Sequence, residues 1–249
     1  MADVSAAHVV GSTRVARRVT PIVALDVSSE EAASKIVLGL GELCRFYKVG
    51  FELFAAAGPL VVRALRDRGC DVFLDLKLHD IPNTVRGGCR NAARSGAKLV
   101  TVHAVGGVEM MAAAVEGARA GGSDCAVLAV TVLTSLDSQR LATAWGRAEV
   151  DVGAEVLRLA GLAREAGVAG VVCGGGEVSA VRAVYGTALS ILVPGVRFEG
   201  SSADDQQRVT TVREAADAGA DYMVIGRTVT AAPDPRAAMQ EVVTALARS

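Results

Sequence analysis

The chain has almost no surplus of charge. Its 26 lysines and arginines face 27 acidic residues, for a formal net charge of −1, so no broad positive field draws it onto nucleic acid or an anionic membrane. A small phosphorylated molecule needs only a local positive site and stays open. No apolar run approaches the roughly 18 residues of a membrane span, and residues 1–18 lack the hydrophobic middle of a secretory signal. Arg14, Arg17 and Arg18 give that segment a faint transit-peptide look, but a flexible N-terminal extension on a cytoplasmic protein is the expectation. The five cysteines (Cys44, Cys70, Cys89, Cys125 and Cys173) contain no C-x-x-C pair and are expected as buried free thiols in a reducing compartment. Neither His79 nor His103 has a second imidazole at metal-ligand spacing, His8 lies in the extension, and no bound metal or cofactor is expected.

What is present is a repeat of short apolar runs, each followed by an Ala/Leu/Arg/Glu-rich stretch of helical character. Eight strands are expected: 21–26, 45–49, 72–76, 99–103, 126–132, 170–173, 190–194 and 222–225. Helices that close on Arg68-Gly69, Ser95-Gly96, Ala166-Gly167 and Ala218-Gly219 separate several of them, with glycine as the left-handed stop. No linker or low-complexity block interrupts the order. With 249 residues and 51% hydrophobic composition, the pattern predicts a single α/β domain over residues 19–249, a (β/α)8 TIM barrel. Met110 and Met111 are expected in the core, and Trp145 against one end of the barrel.

Strands buried on both faces should be almost wholly apolar, so charges at their carboxyl ends stand out. Asp26, Lys48, Asp75, Lys77, Arg197 and Arg227 all fall there, and Thr134 follows the fifth strand. One such residue reads as a solvated rim position; repetition at the same end reads as an active site, which barrel enzymes build at that face. In Phe73–Thr84 the two-residue strand period puts Asp75 and Lys77 on one side. Asp80 follows, and Pro82 suits the first turn of a helix. Adding Lys48 gives alternating charges across the mouth. Opposite charges nearby favour the protonated amine, which makes Lys77 an acid and an electrostatic stabiliser.

The segment DLKLHDIPNT (Asp75–Thr84) resembles the characteristic segment of orotidine 5'-monophosphate decarboxylases. ALD at Ala24–Asp26, KVG at Lys48–Gly50, TVLTS at Thr131–Ser135, PGVR at Pro194–Arg197 and VIGR at Val224–Arg227 are similar to that family's other motifs in order and spacing. The resemblance implies a cofactor-free decarboxylation of orotidine 5'-monophosphate in which Lys77 delivers the proton, Asp75 faces the substrate carboxylate and Lys48 completes the charge network. It places Asp26 on ribose hydroxyls and Thr134 and Pro194 near the pyrimidine. Arg197, Gln206, Gly226 and Arg227 would hold the phosphate. It also implies a homodimer in which Asp80 reaches the neighbouring subunit's site, with Ile81 and Thr84 beside it. The polar loop from Gly195 to Gln206 reads as a lid. The chain departs from the pattern in its N-terminal extension and in Thr210-Thr211, where Thr-Pro is common.

Rival readings remain. D-x-K-x-x-D also occurs in metal-dependent sugar-phosphate decarboxylases and aldolases on similar barrels, although glycine usually stands there where this chain has Pro82. A Schiff-base aldolase needs a lysine that readily loses its proton, which the carboxylates oppose. A non-catalytic phosphate-binding barrel would have no use for the Asp–Lys–Asp cluster.

Overall fold

The computed structural model describes residues 19–122, 124–198 and 210–247; the extension anticipated over residues 1–18 lies outside them. Ten strands occur among the described residues: β1 (Thr20–Ala24), β2 (Phe46–Val49), β3 (Asp71–Leu78), β4 (Leu99–His103), β5 (Ala126–Val130), β6 (Gly170–Val172), β7 (Ser190–Val193), β8 (Val196–Arg197), β9 (Thr210–Thr211) and β10 (Tyr222–Ile225). Eight of them close into a parallel barrel in the order β1-β10-β7-β6-β5-β4-β3-β2, while β8 and β9 pair separately. The expected barrel is therefore present. β4 and β10 match expectation at both ends and the other strand ends differ by at most two residues, most visibly in β3, which runs on to Leu78.

Alternation within each strand sorts side chains into two cores. One face packs outward against the helices, as with Val23, Leu74, Val100, Ala129, Ile191 and Met223. The other fills the barrel with Ile22, Ala24, Phe46, Phe73, Leu99, Leu128, Val130, Val172, Leu192 and Val224. Met110 and Met111 are buried in the outer core, where Trp145 packs against it part-buried. Each large apolar side chain so buried contributes about 1.5–3 kcal/mol relative to exposure. The interior plug is solid; it supplies an apolar floor for whatever binds above it.

Local signals set the helix ends. Ser29, Asp137 and Asp151 accept backbone N–H bonds at the starts of Glu30–Leu40, Ser138–Trp145 and Val152–Glu165, caps worth about 1 kcal/mol each. Gly69, Gly96, Gly167 and Gly219 all take positive φ, the conformation expected of them. Pro82 opens the helix Pro82–Arg94, pulling the chain away from the mouth directly after β3. All five cysteines are free; four are buried and Cys125 is partly so.

Candidate active site

Two residues beyond the interior plug, the same alternation turns polar. Ile22 and Ala24 lead to Asp26, Phe46 to Lys48, Phe73 to Asp75, and Leu99 to Thr101. The charged cluster is thus the next interior layer of the barrel. A cavity of about 520 Å³ opens there, and Phe73, Val130, Val172, Leu192 and Val224 line it together with Asp26, Lys48, Asp75, Lys77, Thr134, Pro194, Arg197, Gly226 and Arg227. Asp75, at 9% exposure, and Lys48, at 8%, are among the few buried charged residues of the described chain.

The charges alternate as the spacing implied. Lys48 Nζ lies 2.6 Å from Asp26 Oδ1 and 4.0 Å from Asp75 Oδ2, and Lys77 Nζ lies 2.8 Å from Asp75 Oδ2. Gly50 makes room for this row: a Cβ there would meet Lys48 Nζ at 2.9 Å and Asp26 Oδ1 at 3.3 Å. β7 stands diametrically opposite β3 in the eight-strand ring, with β10 beside it. Arg197, which follows β7, therefore faces Asp75 and Lys77 across the mouth, while Arg227, which follows β10, stands three strands from β3 and beside β1 and its Asp26. An anionic group at the arginines and a reacting centre at Lys77 would span the cavity.

Simple alternation does not account for Lys77. The pairing of β3 with β4 shifts register between Leu74, opposite Val100, and Leu78, opposite Val102, so extra residues of β3 bulge out. Lys77 has φ +43°, the one positive value at a non-glycine residue among those described. That backbone conformation costs about 1–3 kcal/mol, and bulges beside sites commonly re-aim a side chain. The Lys77 N–H, displaced from the ladder, donates to Thr101 Oγ1 at 2.9 Å, and Thr101 Oγ1 donates to Asp75 Oδ1 at 2.9 Å. Sequence reasoning overlooked Thr101. Its signal was a lone hydroxyl in the apolar run Leu99-Val-Thr-Val102, on the inward side with Leu99.

His103, the next inward residue of β4, has its ring centroid 5.7 Å from that of His79. Burial, then the neighbouring His79 and Lys77, hold its imidazole below the ordinary range, with Asp75 opposing. Among the described residues, no group of three or more His, Cys, Asp or Glu side chains stands together as candidate metal ligands. No described helix is long and apolar enough to cross a membrane.

Three expected residues are not brought to this cavity. Asp80, Ile81 and Thr84 are exposed, and Asp80 Oδ1 accepts the Ile81 N–H at 2.6 Å. Gln206 lies outside the described residues, as does most of the anticipated lid. The two described ends of that loop are fastened side by side, Val196 and Arg197 opposite Thr210 and Thr211. Gly175 lets Thr210 seat there, since a Cβ would stand 1.8 Å from Thr210 Oγ1. Thr211, in place of proline, forms a capping box with Glu214 and donates its N–H to Glu214 Oε2 at 2.8 Å, a bond that proline could not make.

Comparison with known proteins agrees with this geometry. Residues 20–242 match the model of the "Orotidine 5'-phosphate decarboxylase / HUMPS family". A relative named orotidine 5'-phosphate decarboxylase from Anaeromyxobacter sp. (strain K) is 52% identical over 223 residues, covering 90% of this chain and 96% of its own. Another of that name, from Moorella thermoacetica, is 47% identical over 89% of each chain. The crystal structure of orotidine 5'-phosphate decarboxylase from Lactobacillus acidophilus superposes with a TM-score of 0.81 at 38% identity, covering 91% of this chain and 98% of that one. The alternating Asp–Lys row, the arginines at the mouth and this likeness along nearly the whole described barrel have one explanation: the chain belongs to the orotidine 5'-phosphate decarboxylase / HUMPS family.

Proposed function

We propose that the cavity seats orotidine 5'-monophosphate with its phosphate against Arg197 and Arg227 and its reacting carbon at Lys77, which both stabilises and protonates that carbon. Decarboxylation to uridine 5'-monophosphate and CO2, a step of pyrimidine nucleotide synthesis, is the activity that family membership and the full-length relatives support. The observation that carries the residue assignment is the Lys77 ammonium, 2.8 Å from a buried carboxylate, across the cavity from Arg197.

The chemistry explains the need. Breaking the bond from C6 to the carboxylate carbon releases CO2 and leaves an electron pair on C6 in the ring plane, where the ring π system cannot take it up. A fixed positive charge at that atom, set on an apolar floor, stabilises the pair without reorganising at the moment of reaction. Lys77 then gives its proton to C6 and, as a neutral amine, regains one from solvent. Asp75 faces the departing carboxylate in this reading, and Lys48 holds Asp75 and Asp26 in place while Asp26 takes the ribose hydroxyls. Thr134 and Pro194 border the pyrimidine. Gly226 offers backbone N–H contact near the phosphate, and Gln206 would join it from the loop.

Asp80, Ile81 and Thr84 enter through a second copy. They flank the mouth without reaching their own cavity, and Ile81 is 67% exposed, a large apolar side chain that a symmetric partner would cover. The reading is therefore a cytoplasmic homodimer whose sites each take Asp80 from the neighbour.

Incubating the purified protein with orotidine 5'-monophosphate in a chelator, without added metal, and following uridine 5'-monophosphate by absorbance tests the proposal. Formation of product supports it. No product in chelator, restored by a divalent cation or replaced by turnover of a sugar phosphate, would assign the site to the metal-dependent branch instead.

A further inference from the structure

We infer that Thr101 is a positioning residue for the reaction, acting through Lys77 and Asp75 without touching substrate. Its hydroxyl sits in a closed circuit. The Lys77 backbone N–H donates to Thr101 Oγ1 at 2.9 Å, Thr101 Oγ1 donates to Asp75 Oδ1 at 2.9 Å, and the Lys77 side chain returns to Asp75 Oδ2 at 2.8 Å. Backbone and side chain of one lysine are thereby tied through one hydroxyl and one carboxylate. Thr101 is completely buried, so no water can stand in for it without entering the core.

Each bond has a separate consequence. The first satisfies an N–H that the β3 bulge removes from the strand ladder, and so holds Lys77 in a left-handed conformation that an L-residue otherwise leaves. The second fixes the rotation of the Asp75 carboxylate. With Oδ1 engaged by Thr101, Oδ2 is presented to both amines, Lys77 at 2.8 Å and Lys48 at 4.0 Å. A threonine hydroxyl can do both at once because it carries one donor proton and lone pairs to accept. Valine has the same shape and can do neither.

The inference rests on the proposed decarboxylation, and Thr101→Val and Thr101→Ser separate it from a packing role. Valine keeps the volume and loses the hydroxyl; serine keeps the hydroxyl and loses a methyl group. Positioning predicts that Thr101→Val lowers kcat by about 10²-fold, the scale of a misplaced reacting group, with KM changed less than about threefold, and that Thr101→Ser stays within about fivefold of native kcat. Packing predicts the reverse order. A folded Thr101→Val protein with native kcat, or a serine variant worse than valine, overturns the inference. A second readout is independent of turnover: amide exchange at Lys77 should be slow in the native protein and in Thr101→Ser, and fast in Thr101→Val. Rapid exchange at Lys77 in the native protein would also overturn it, even if the valine variant does not fold. Should the native protein fail to decarboxylate orotidine 5'-monophosphate while these exchange differences hold, the functional reading falls and the Thr101 circuit stands.

Discussion

Lys48 owes its place to a missing side chain at Gly50: a Cβ at residue 50 would stand 2.9 Å from Lys48 Nζ. The obstacle would meet only the tip of a flexible side chain, so the fold can accommodate it by moving the ammonium. That movement breaks the 2.6 Å contact with Asp26 and removes the cation between the two carboxylates. Gly50→Ala is therefore expected to leave the melting temperature nearly unchanged while lowering kcat/KM by about 10²-fold. Thermal melting and steady-state kinetics on the same preparation check it; equal losses in both would mean that Gly50 serves the fold and not the site.

Arg227 tests the arginine side of the cavity. Replacing it by alanine removes a guanidinium from the proposed phosphate position, where a charge-assisted contact is worth about 1.5–3 kcal/mol. The expected loss in kcat/KM is about 10–100-fold. Because the phosphate is remote from the bond that breaks, its binding energy can be expressed in the chemical step, so kcat should fall as well as KM rise. Guanidinium ion in solution should restore part of the activity of Arg227→Ala and none of Lys77→Ala. An unchanged kcat/KM would remove Arg227 from the phosphate site.

His103 gives the stability a pH dependence. Its imidazole is held below the ordinary value, first by burial and then by His79 and Lys77, so the unfolded chain takes up its proton more readily than the folded one. The contribution is complete above the unfolded value of about 6.5 and is lost as pH falls through the folded value. Urea midpoints should drop between about pH 7 and pH 5, and His103→Gln should flatten that slope. A slope unchanged by the substitution would assign the acid sensitivity to other groups.

The barrel was legible because eight apolar runs with glycine stops leave few other ways to bury them. Asp26, Lys48 and Asp75 stood out in the sequence as charges at the carboxyl ends of apolar strands, each two residues beyond an interior side chain, whereas Thr134, in a turn four residues past the end of β5, took its role only from the family resemblance. Lys77 was found for a reason that proved incomplete: it reaches Asp75 across a bulge, not along a regular strand, and the bulge depends on how β4 pairs with β3. Thr101 was invisible for the same reason, since a threonine among valines reads as an ordinary strand former until the neighbouring ladder is known. Gly50 likewise matters only through the ammonium that occupies its empty Cβ position. Asp80, Ile81 and Thr84 lie in a legible motif, yet their own cavity does not receive them; that part of the reading is a statement about two chains.

Asp80 can therefore be tested by mixing. Lys77→Ala should be inactive in every site built on its own cavity, and Asp80→Ala in every site that receives its loop. In a mixed dimer, the cavity of the Asp80→Ala chain keeps Lys77 and takes the native Asp80 from its partner, while the other cavity lacks both. Random re-association of equal amounts makes half the dimers mixed, each with one complete site, so about a quarter of the native activity should return. The pairing must be proven, for example by two affinity tags purified in series. If tagged heterodimers stay inactive while native chains treated identically recover, Asp80 acts within its own chain, and its exposed position beside the mouth would then require a movement of the 79–81 turn toward its own cavity.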